Sequence, residues 1–258
     1  MKKINFKSSK LLNVAYPLIG VCIFLLIWFI ASKIVDIELI LPTPFEAIKQ
    51  FFLLLGDVRF WVAIGNTLLR AIISFLISTL LASIVAVIAY LVPQFAKIIN
   101  PIIVIVRSVP TMSIILLAII WLTSFSSPIL ITFLILFPSL YSAFKSALDN
   151  VDRQLIDMSK AFNVPIKRQI THLYLPSIAP QSLDAMRSSA SFGVKITIAS
   201  EVLAHTAKSI GIYMQGHSLN FDTASLLAWT IAAVALSYLI EGVFVLIKKF
   251  VVRWDDEN

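Results

Sequence analysis

The amino-acid sequence predicts an all-α protein that crosses a membrane about six times. Of its 258 residues, 59% are hydrophobic and only 14% are charged, whereas a soluble domain usually carries about a quarter charged residues. The mean hydropathy is +0.93, and apolar runs of roughly 20 residues, enough to cross about 30 Å of hydrocarbon as a helix, recur along the chain. A soluble globule of this length could not bury so much apolar surface, so a polytopic helical membrane protein is predicted.

Six segments are predicted to span the membrane, within one domain that covers residues 1–258. They lie near residues 13–35, 61–91, 99–123, 128–148, 177–204 and 223–247. The fifth is unusually polar for a span. Between the first two, Pro42 and Pro44 in "LPTPFEAIKQFFLLL" predict a short helix that begins near Thr43 and lies at the membrane interface.

Lysine and arginine are unevenly distributed over the two predicted sides of the membrane. Thirteen fall on the side that holds both termini and the loop after residue 145, and only Lys33, Lys49, Arg59 and Lys208 fall on the other. Because cytoplasmic loops carry the excess of positive charge, both termini and that loop are predicted to be cytoplasmic. The cations lie at the ends of apolar runs and not on one polar domain, so we expect a lipid bilayer and not nucleic acid as the partner.

One long polar segment, "QLIDMSKAFNVPIKRQITHLYLP" at residues 154–176, interrupts the apolar pattern. Asn150 or Asp152 can cap a short helix there. Its apolar residues at helical spacing are Leu155, Met158, Ala161 and Phe162. Asn163 tolerates the left-handed conformation that ends helices, and Pro165 can open a second short helix. The pattern predicts two short helices with an exposed apolar patch, which suits either a docking site or a solvated loop.

A polar stripe is predicted along the fifth span. Side chains recur there at intervals of three and four residues, within a strip about 80° wide: Ser177, Gln181, Asp184, Ser188, Ser191 and Lys195. Polar groups are costly against lipid, so this face should contact neighbouring helices or a wet cavity. Lys195 and Glu201 are the better candidates for a translocation pathway, whereas Arg70 and Arg107, which lie in apolar runs, are equally compatible with a structural role.

We find no motif for catalysis, nucleotide binding or a metal site. The sequence lacks a Gly-rich phosphate loop that ends in Lys-Ser or Lys-Thr, and His172, His205 and His217 lack the spacing of metal ligands. Cys22 is a single cysteine in an apolar run, and Asp222 is expected to cap the last span. We therefore expect no enzyme active site, no metal and no cofactor in this chain.

The polar loop resembles the cytoplasmic loop of binding-protein-dependent ABC importer permeases. That motif runs Glu-Ala-Ala, three residues, Gly, and later an apolar-x-Leu-Pro; the matching positions are Asp157-Met158-Ser159, Lys160-Ala161-Phe162, Asn163 and Tyr174-Leu175-Pro176. Further stretches are similar to the nitrate, sulfonate and taurine branch of that family. In chain order they are "LPTPFEAIKQF", "NTLLRAIISFLIS", "RSVPTMSIILLAIIWL" and "NFDTASLLAW", so the resemblance runs from about residue 16 to 254.

The resemblance implies the type I ABC importer permease fold and a non-catalytic subunit in the cytoplasmic membrane of a prokaryote. It implies a second copy of the chain to complete the pathway, two ATPase subunits that bind ATP and Mg²⁺, and an extracytoplasmic solute-binding protein. The solute would be a sulfonate-, nitrate- or taurine-like anion or a vitamin-precursor-type organic molecule.

The loop would then be the coupling helix that binds the ATPase, with Asp, Met, Ser and Asn where the family has Glu, Ala, Ala and Gly. Its candidate contact residues are Leu155, Asp157, Met158, Ser159, Ala161, Phe162, Asn163 and Pro165. The candidate pathway residues are Arg70, Arg107, Ser188, Ser191, Lys195 and Glu201. A self-sufficient ion-coupled transporter or channel is the alternative; it accounts for charges inside the membrane and leaves the structured loop unexplained.

Overall fold

The computed structural model describes the backbone of residues 6–252 and the side chains of residues 16–252, and within that part all regular structure is helical. The helices are α1 (Phe6–Val35), α2 (Pro44–Leu54), α3 (Val58–Leu91), α4 (Pro93–Ser108), α5 (Thr111–Trp121), α6 (Ser127–Asp149), α7 (Arg153–Ala161), α8 (Ile166–Gln169), α9 (Leu175–Leu203), α10 (Ile210–Leu219) and α11 (Thr223–Val251), with a π-helical segment at Ile170–Tyr174. The predicted position of the two chain ends concerns residues outside the described ones.

The helices form two compact units. One comprises the chain up to Val58 together with Tyr213–Ile231, and the other comprises Arg59–Ile212 together with the chain from Ala232 onward.

In the first unit, the connection after α1 is fixed by hydrogen bonds to its backbone carbonyls. The Trp28 indole donates to Pro42 O at 3.1 Å, and the Ser32 hydroxyl donates to Leu41 O at 2.8 Å. The Thr223 hydroxyl at the start of α11 donates to Leu39 O. These bonds satisfy carbonyls that no helix uses, so the connection is ordered.

Helix α2 begins where the sequence predicts. Thr43 caps it in a capping box: the Glu46 N–H donates to Thr43 Oγ1 at 3.3 Å, and the Thr43 N–H donates to Glu46 Oε2 at 2.7 Å. The hydrogen bond from the Thr43 backbone holds the pKa of the Glu46 carboxyl below its usual value. Pro44 takes the first turn, where its missing N–H costs no hydrogen bond.

In the second unit, α6 and α9 pack together at close range. Gly193 permits this approach, because a Cβ there would lie 3.0 Å from Leu136 Cδ1. The hydroxyls of Thr132 and Thr197 are 3.0 Å apart across the same contact and share a hydrogen bond. Around it lies an apolar core of buried residues from α3, α4, α6 and α9, namely Phe75, Ala82, Ala86, Ala89, Ile103, Leu136, Leu140, Tyr141, Phe144, Leu148 and Ala190.

The third predicted span is two helices and not one straight helix. α4 and α5 are bent by 93° at the break between them. Val109 is extended, with φ −66° and ψ 128°, because a residue before proline is kept out of the helical region and Pro110 cannot donate a helical hydrogen bond.

Four described helices are long and apolar enough to cross a membrane: Tyr16–Val35 of α1, α3, α6 and α11; the bent α4–α5 pair makes five if it counts as one span. The fifth predicted span corresponds to α9, which has 29 residues. It is long enough to cross, but four charged side chains keep it from being comparably apolar: Asp184, Arg187, Lys195 and Glu201.

Candidate functional site

The segment of residues 152–174, which the resemblance predicts to be the coupling loop and which keeps that name below, begins with a well-capped helix. Of the two caps that the sequence allows, Asp152 is the one used: its carboxylate accepts the Gln154 N–H at 2.8 Å. Asn150 instead ends α6. The negative charge of Asp152 lies at the positive end of α7, where it stabilises the helix.

Asn163 ends α7 as predicted, in the left-handed conformation with φ 49°. The Asn163 N–H donates to Lys160 O and the Val164 N–H donates to Ser159 O, each at 2.9 Å. This pair of bonds is the Schellman motif, which satisfies carbonyls at the end of a helix. The Gln169 side chain donates to Val164 O at 2.8 Å, so the turn is held on both sides.

The apolar side of α7 is exposed. Leu155, Met158 and Phe162 are 41%, 53% and 75% exposed, and Ala161 and Pro165 are exposed as well. Beside them lies the Asp157 carboxylate, with a side chain 77% exposed and 3.9 Å from Lys160 Nζ.

Ser159 behaves differently from the other predicted contact residues of the loop. It is 8% exposed, and its hydroxyl donates to Ile156 O at 2.7 Å. Ser159 is therefore covered by its own chain, whereas the other predicted contact residues of the loop are exposed.

The second short helix predicted after Pro165 does not stop before the fifth span. α8 continues through the π-helical segment into α9, and the Leu175 N–H donates to Ile170 O in the wider π pattern. Pro176 explains the widening, since its ring would clash with the carbonyl four residues earlier and it has no N–H to donate. The turn at Asn163 is thus joined to α9 by unbroken helix.

Arg70 and Glu201 form an ion pair buried in the second unit. Arg70 Nη1 is 2.9 Å from Glu201 Oε1, and the two side chains are 4% and 0% exposed. The guanidinium also lies over the Phe125 ring, 4.9 Å from its centroid.

The Glu201 carboxylate has further partners. The Thr67 hydroxyl donates to its Oε2 at 2.9 Å and the Gly211 N–H donates at 3.3 Å, while the Ile210 N–H donates to Thr67 Oγ1 at 3.1 Å. A Cβ on Gly211 would lie 2.6 Å from Glu201 Cβ, so only glycine fits. This Glu201 network, formed by Thr67, Arg70, Glu201, Ile210 and Gly211, joins α3, α9 and the beginning of α10.

The N-terminal half of the polar stripe pairs with α11. Asp184 accepts both hydrogen bonds of a bidentate contact with Lys248 Nζ, at 2.9 and 3.0 Å. Arg187 lies 3.5 Å from Glu241 of the same helix α11. Farther down the stripe, the Gln181 amide donates to Ser146 Oγ of α6 at 3.3 Å.

The C-terminal half of the stripe lines a cavity. Ser191, which is 5% exposed, and Lys195 line a cavity of about 270 Å³ together with Ser237, Tyr238 and Glu241 of α11. Lys195 is exposed and forms no ion pair within the described part of the chain. Its ammonium is therefore available to a ligand in a way that the paired Arg187 is not.

The other two pathway candidates lie elsewhere on the second unit. Ser188 is exposed and donates to Asp184 O at 3.1 Å, and it lines a cavity of about 280 Å³ between α6 and α9. Arg107 Nη1 donates to Ser142 Oγ at 3.4 Å at an exposed position. The structure thus does not bring the six candidates together in one site.

Sequence reasoning did not single out Thr67, Gly211, Ser237 and Tyr238. Ser237, Glu241 and Lys248 recur on α11 at intervals of four and seven residues, a helical period that could have revealed a polar face opposite the stripe. No comparable signal marks Thr67 or Gly211. Among the described residues, no three His, Cys, Asp or Glu side chains gather as metal ligands would.

Comparison with known proteins identifies the family. A family model described as the binding-protein-dependent transport system inner membrane component matches residues 78–253. The chain belongs to this family. The match runs from α3 past the end of α11 and includes the whole coupling loop and the polar stripe.

This permease is similar to the taurine transport system permease protein TauC of Escherichia coli (strain K12), with 22% identity over 236 residues that cover 89% of the chain and 86% of the relative. It also has the fold found in two inward-facing structures of the MetNI methionine ABC transporter. Their TM-scores are 0.64 and 0.65 at 17% and 16% identity, with 73% and 76% of this chain and 94% and 99% of theirs covered.

The chain is accordingly the membrane-embedded permease subunit of an ABC importer, with the type I permease fold. It is a transport component and not an enzyme; ATP hydrolysis in such systems belongs to a separate ATPase, and a binding protein is a further partner. The alternative of a self-sufficient channel or ion-coupled transporter loses its main support, because Arg70 and Glu201, two of the charges that suggested it, bind each other.

Proposed function

We propose that the coupling loop is the surface through which this permease binds its ATPase. The observation that carries the proposal is the exposed apolar row of Leu155, Met158 and Phe162 on a helix that is capped at both ends. Three large apolar side chains held in water by an ordered helix are costly, and an apolar groove on a partner would remove that cost. Asp157 at the edge of the row would select a groove with a cation.

The same geometry suggests how force reaches the membrane. The turn at Asn163 is joined to α9 by continuous helix, so a displacement of α7 by a closing ATPase would tilt or shift α9 as a rigid element. α9 carries the polar stripe, so its movement would rearrange the Lys195 cavity. ATP binding would favour the outward-facing state, and hydrolysis would reset it.

The assembly that we propose contains two copies of this chain and two ATPase subunits. The loop and both chain ends face the cytoplasm, in agreement with the distribution of lysine and arginine, and an extracytoplasmic binding protein delivers the solute to the opposite face. ATP and Mg²⁺ bind the ATPase, and this chain needs no cofactor.

The solute that we propose is a small anion such as a sulfonate. Lys195, without an ionic partner in the described residues, and the hydroxyls of Ser191, Ser237 and Tyr238 line one cavity and suit an oxyanion. The taurine permease named above is consistent with that class. Glu241 also lines the cavity, and its pairing with Arg187 at 3.5 Å would offset its repulsion of an anion.

Co-purification tests the proposal. The permease, expressed with its candidate ATPase, should retain that ATPase through affinity and size-exclusion chromatography. Asp157→Lys should abolish retention while the permease remains in the membrane at normal level, because the exposed Asp157 side chain has, among the described residues, only a 3.9 Å contact with Lys160. Unchanged retention in Asp157→Lys would contradict the proposal.

A further inference from the structure

Two cavities adjoin at the end of α11 that carries Lys248 and Lys249. The first, of about 470 Å³, is polar and is lined by Asp184, Arg187, Lys248 and Lys249 among others. The second, of about 280 Å³, is almost entirely apolar and lies between α3, α6 and α9. Leu183 forms part of both walls, and the adjacent residues Val251 and Val252 line one cavity each, so the two spaces are neighbours.

The polar cavity has an excess of positive charge. Its walls carry three cations, Arg187, Lys248 and Lys249, and one carboxylate, that of Asp184. Asp184 binds Lys248 at 2.9 Å, and Arg187 lies 3.5 Å from Glu241. Lys249 is exposed and has no ion pair within the described part of the chain. A phosphate between Lys248 and Lys249 would give Lys249 its missing partner.

The apolar cavity suits a hydrocarbon chain. Val87, Phe144 and Met186 are among its lining residues. The hydroxyl of Thr79 on the same wall is buried without a hydrogen-bond partner among the described residues. Because that hydroxyl is itself inaccessible, the cavity offers a ligand almost no hydrogen-bonding group, which favours an acyl chain.

We propose that these cavities bind one anionic phospholipid. The phosphate lies at Lys248 and Lys249, and an acyl chain fills the apolar cavity. Basic pockets between membrane helices on the cytoplasmic side are the places where anionic headgroups bind. The assignment to the cytoplasmic leaflet rests on the orientation given under Proposed function; the lipid site itself does not.

The site has a consequence for transport. The walls of both cavities include the α9 segment from Leu183 to Arg187, which is joined by helix to the coupling loop. A bound lipid therefore braces the part of α9 that the ATPase would displace, and the anionic lipid content of the membrane should modulate the rate of coupled ATP hydrolysis.

Native mass spectrometry of the full-length permease tests the proposal, after exchange into nanodiscs that contain phosphatidylglycerol and phosphatidylcholine in equal amounts. The wild-type chain should retain phosphatidylglycerol preferentially. Lys249→Gln should lower that preference about fivefold, since each lysine near an anionic headgroup contributes on the order of that factor. Lys97→Gln is the matched control, since it removes one exposed cation that lines neither cavity.

A second variant tests whether an acyl chain occupies the apolar cavity. Ala179→Phe narrows the apolar cavity, whose wall includes Ala179, and should reduce retention of phosphatidylglycerol without removing a charge. Competition with glycerol 1-phosphate distinguishes a lipid from a soluble anion: it should not displace the lipid.

Equal loss in Lys97→Gln and Lys249→Gln, absence of any lipid preference, or full displacement by glycerol 1-phosphate would each overturn the proposal. Because no ATPase is present in this experiment, its failure leaves the coupling-loop proposal unaffected, and failure of ATPase binding leaves the lipid result standing.

Discussion

Single residues in this permease show how a buried charge can be structural. Arg70 and Glu201 were both predicted as pathway candidates because charges inside a membrane are expensive. The structure gives each of them the other as a partner, at 2.9 Å and nearly zero exposure, and adds Thr67 and Gly211 to the same carboxylate. Their task is to hold α3, α9 and α10 together.

Glu201→Gln should therefore destabilise the protein strongly. It removes one partner and leaves the Arg70 guanidinium charged and buried, which costs about 3–5 kcal/mol. The thermal midpoint of the purified permease in detergent should fall well below that of the wild type.

Asp184→Asn is the matched control for this loss. It breaks an ion pair whose side chains are 33% and 55% exposed, where solvent screening limits the contribution to less than about 1 kcal/mol. If the thermal midpoint of Glu201→Gln were no lower than that of Asp184→Asn, the Glu201 network would not be structural.

Asn163 is the second residue whose backbone determines its identity. The backbone φ of Asn163 is 49°, a left-handed value that glycine adopts freely, so Asn163→Gly should be tolerated. Asn163→Val should cost about 1–2 kcal/mol of local stability, because a β-branched side chain is strained in that conformation. Hydrogen exchange of the α7 amides measures this: exchange should accelerate in the valine variant alone. Identical exchange in the two variants would mean that the turn does not require left-handed backbone.

Helices and loops were predictable where the local signal was strong. The start of α2 at Thr43 and the left-handed end of α7 follow from proline, capping and Asn chemistry, and both are confirmed. The continuity of α8 with α9 was not predictable, because a proline such as Pro176 usually marks a helix boundary. The helix continues here because the Leu175 N–H donates to Ile170 O in the π-helical pattern. The buried side of α7 at Ser159 was also missed, since the small residue gives no hydrophobic signal.

The exposed face of α7 gives the prediction for this element. Phe162→Ser removes the most exposed large apolar side chain of the row, 75% exposed, and should reduce ATPase retention at least tenfold with no change in permease stability. Gln154→Ala, on an exposed position of the same helix outside the row, should have no effect. Equal retention by both variants, measured by quantitative co-purification, would place the contact elsewhere.

Considered as a whole, the molecule combines predictable helices with long-range pairings that no periodicity reveals. Arg70 meets Glu201 from 131 residues away, and Asp184 meets Lys248 from 64 away. Such contacts depend on how helices pack, so the sequence identified the charged residues but not their partners. Pro110 marks the position of the bend between α4 and α5, but the bend angle of 93° depends on how the two helices pack.

Transport by the assembled importer should depend on Lys195. Lys195→Ala should lower solute uptake at least tenfold and leave ATPase binding unchanged, because the side chain lines the α9–α11 cavity and has no ion pair to lose within residues 16–252. Lys97→Ala provides the control for removal of one exposed cation. Uptake kinetics in proteoliposomes test this prediction, and normal uptake by Lys195→Ala would show that the cavity is not part of the translocation pathway.

Site-specific photo-crosslinking tests ATPase coupling most directly. A photoreactive phenylalanine analogue at position 162, in the permease co-expressed with its ATPase, should give a product with the combined mass of the two chains, and the yield should change when ATP is added. The same analogue at position 219, where Leu219 is 72% exposed on the proposed outer side, should give no such product. Absence of the product at position 162, or equal yields at both positions, would contradict ATPase binding through the coupling loop.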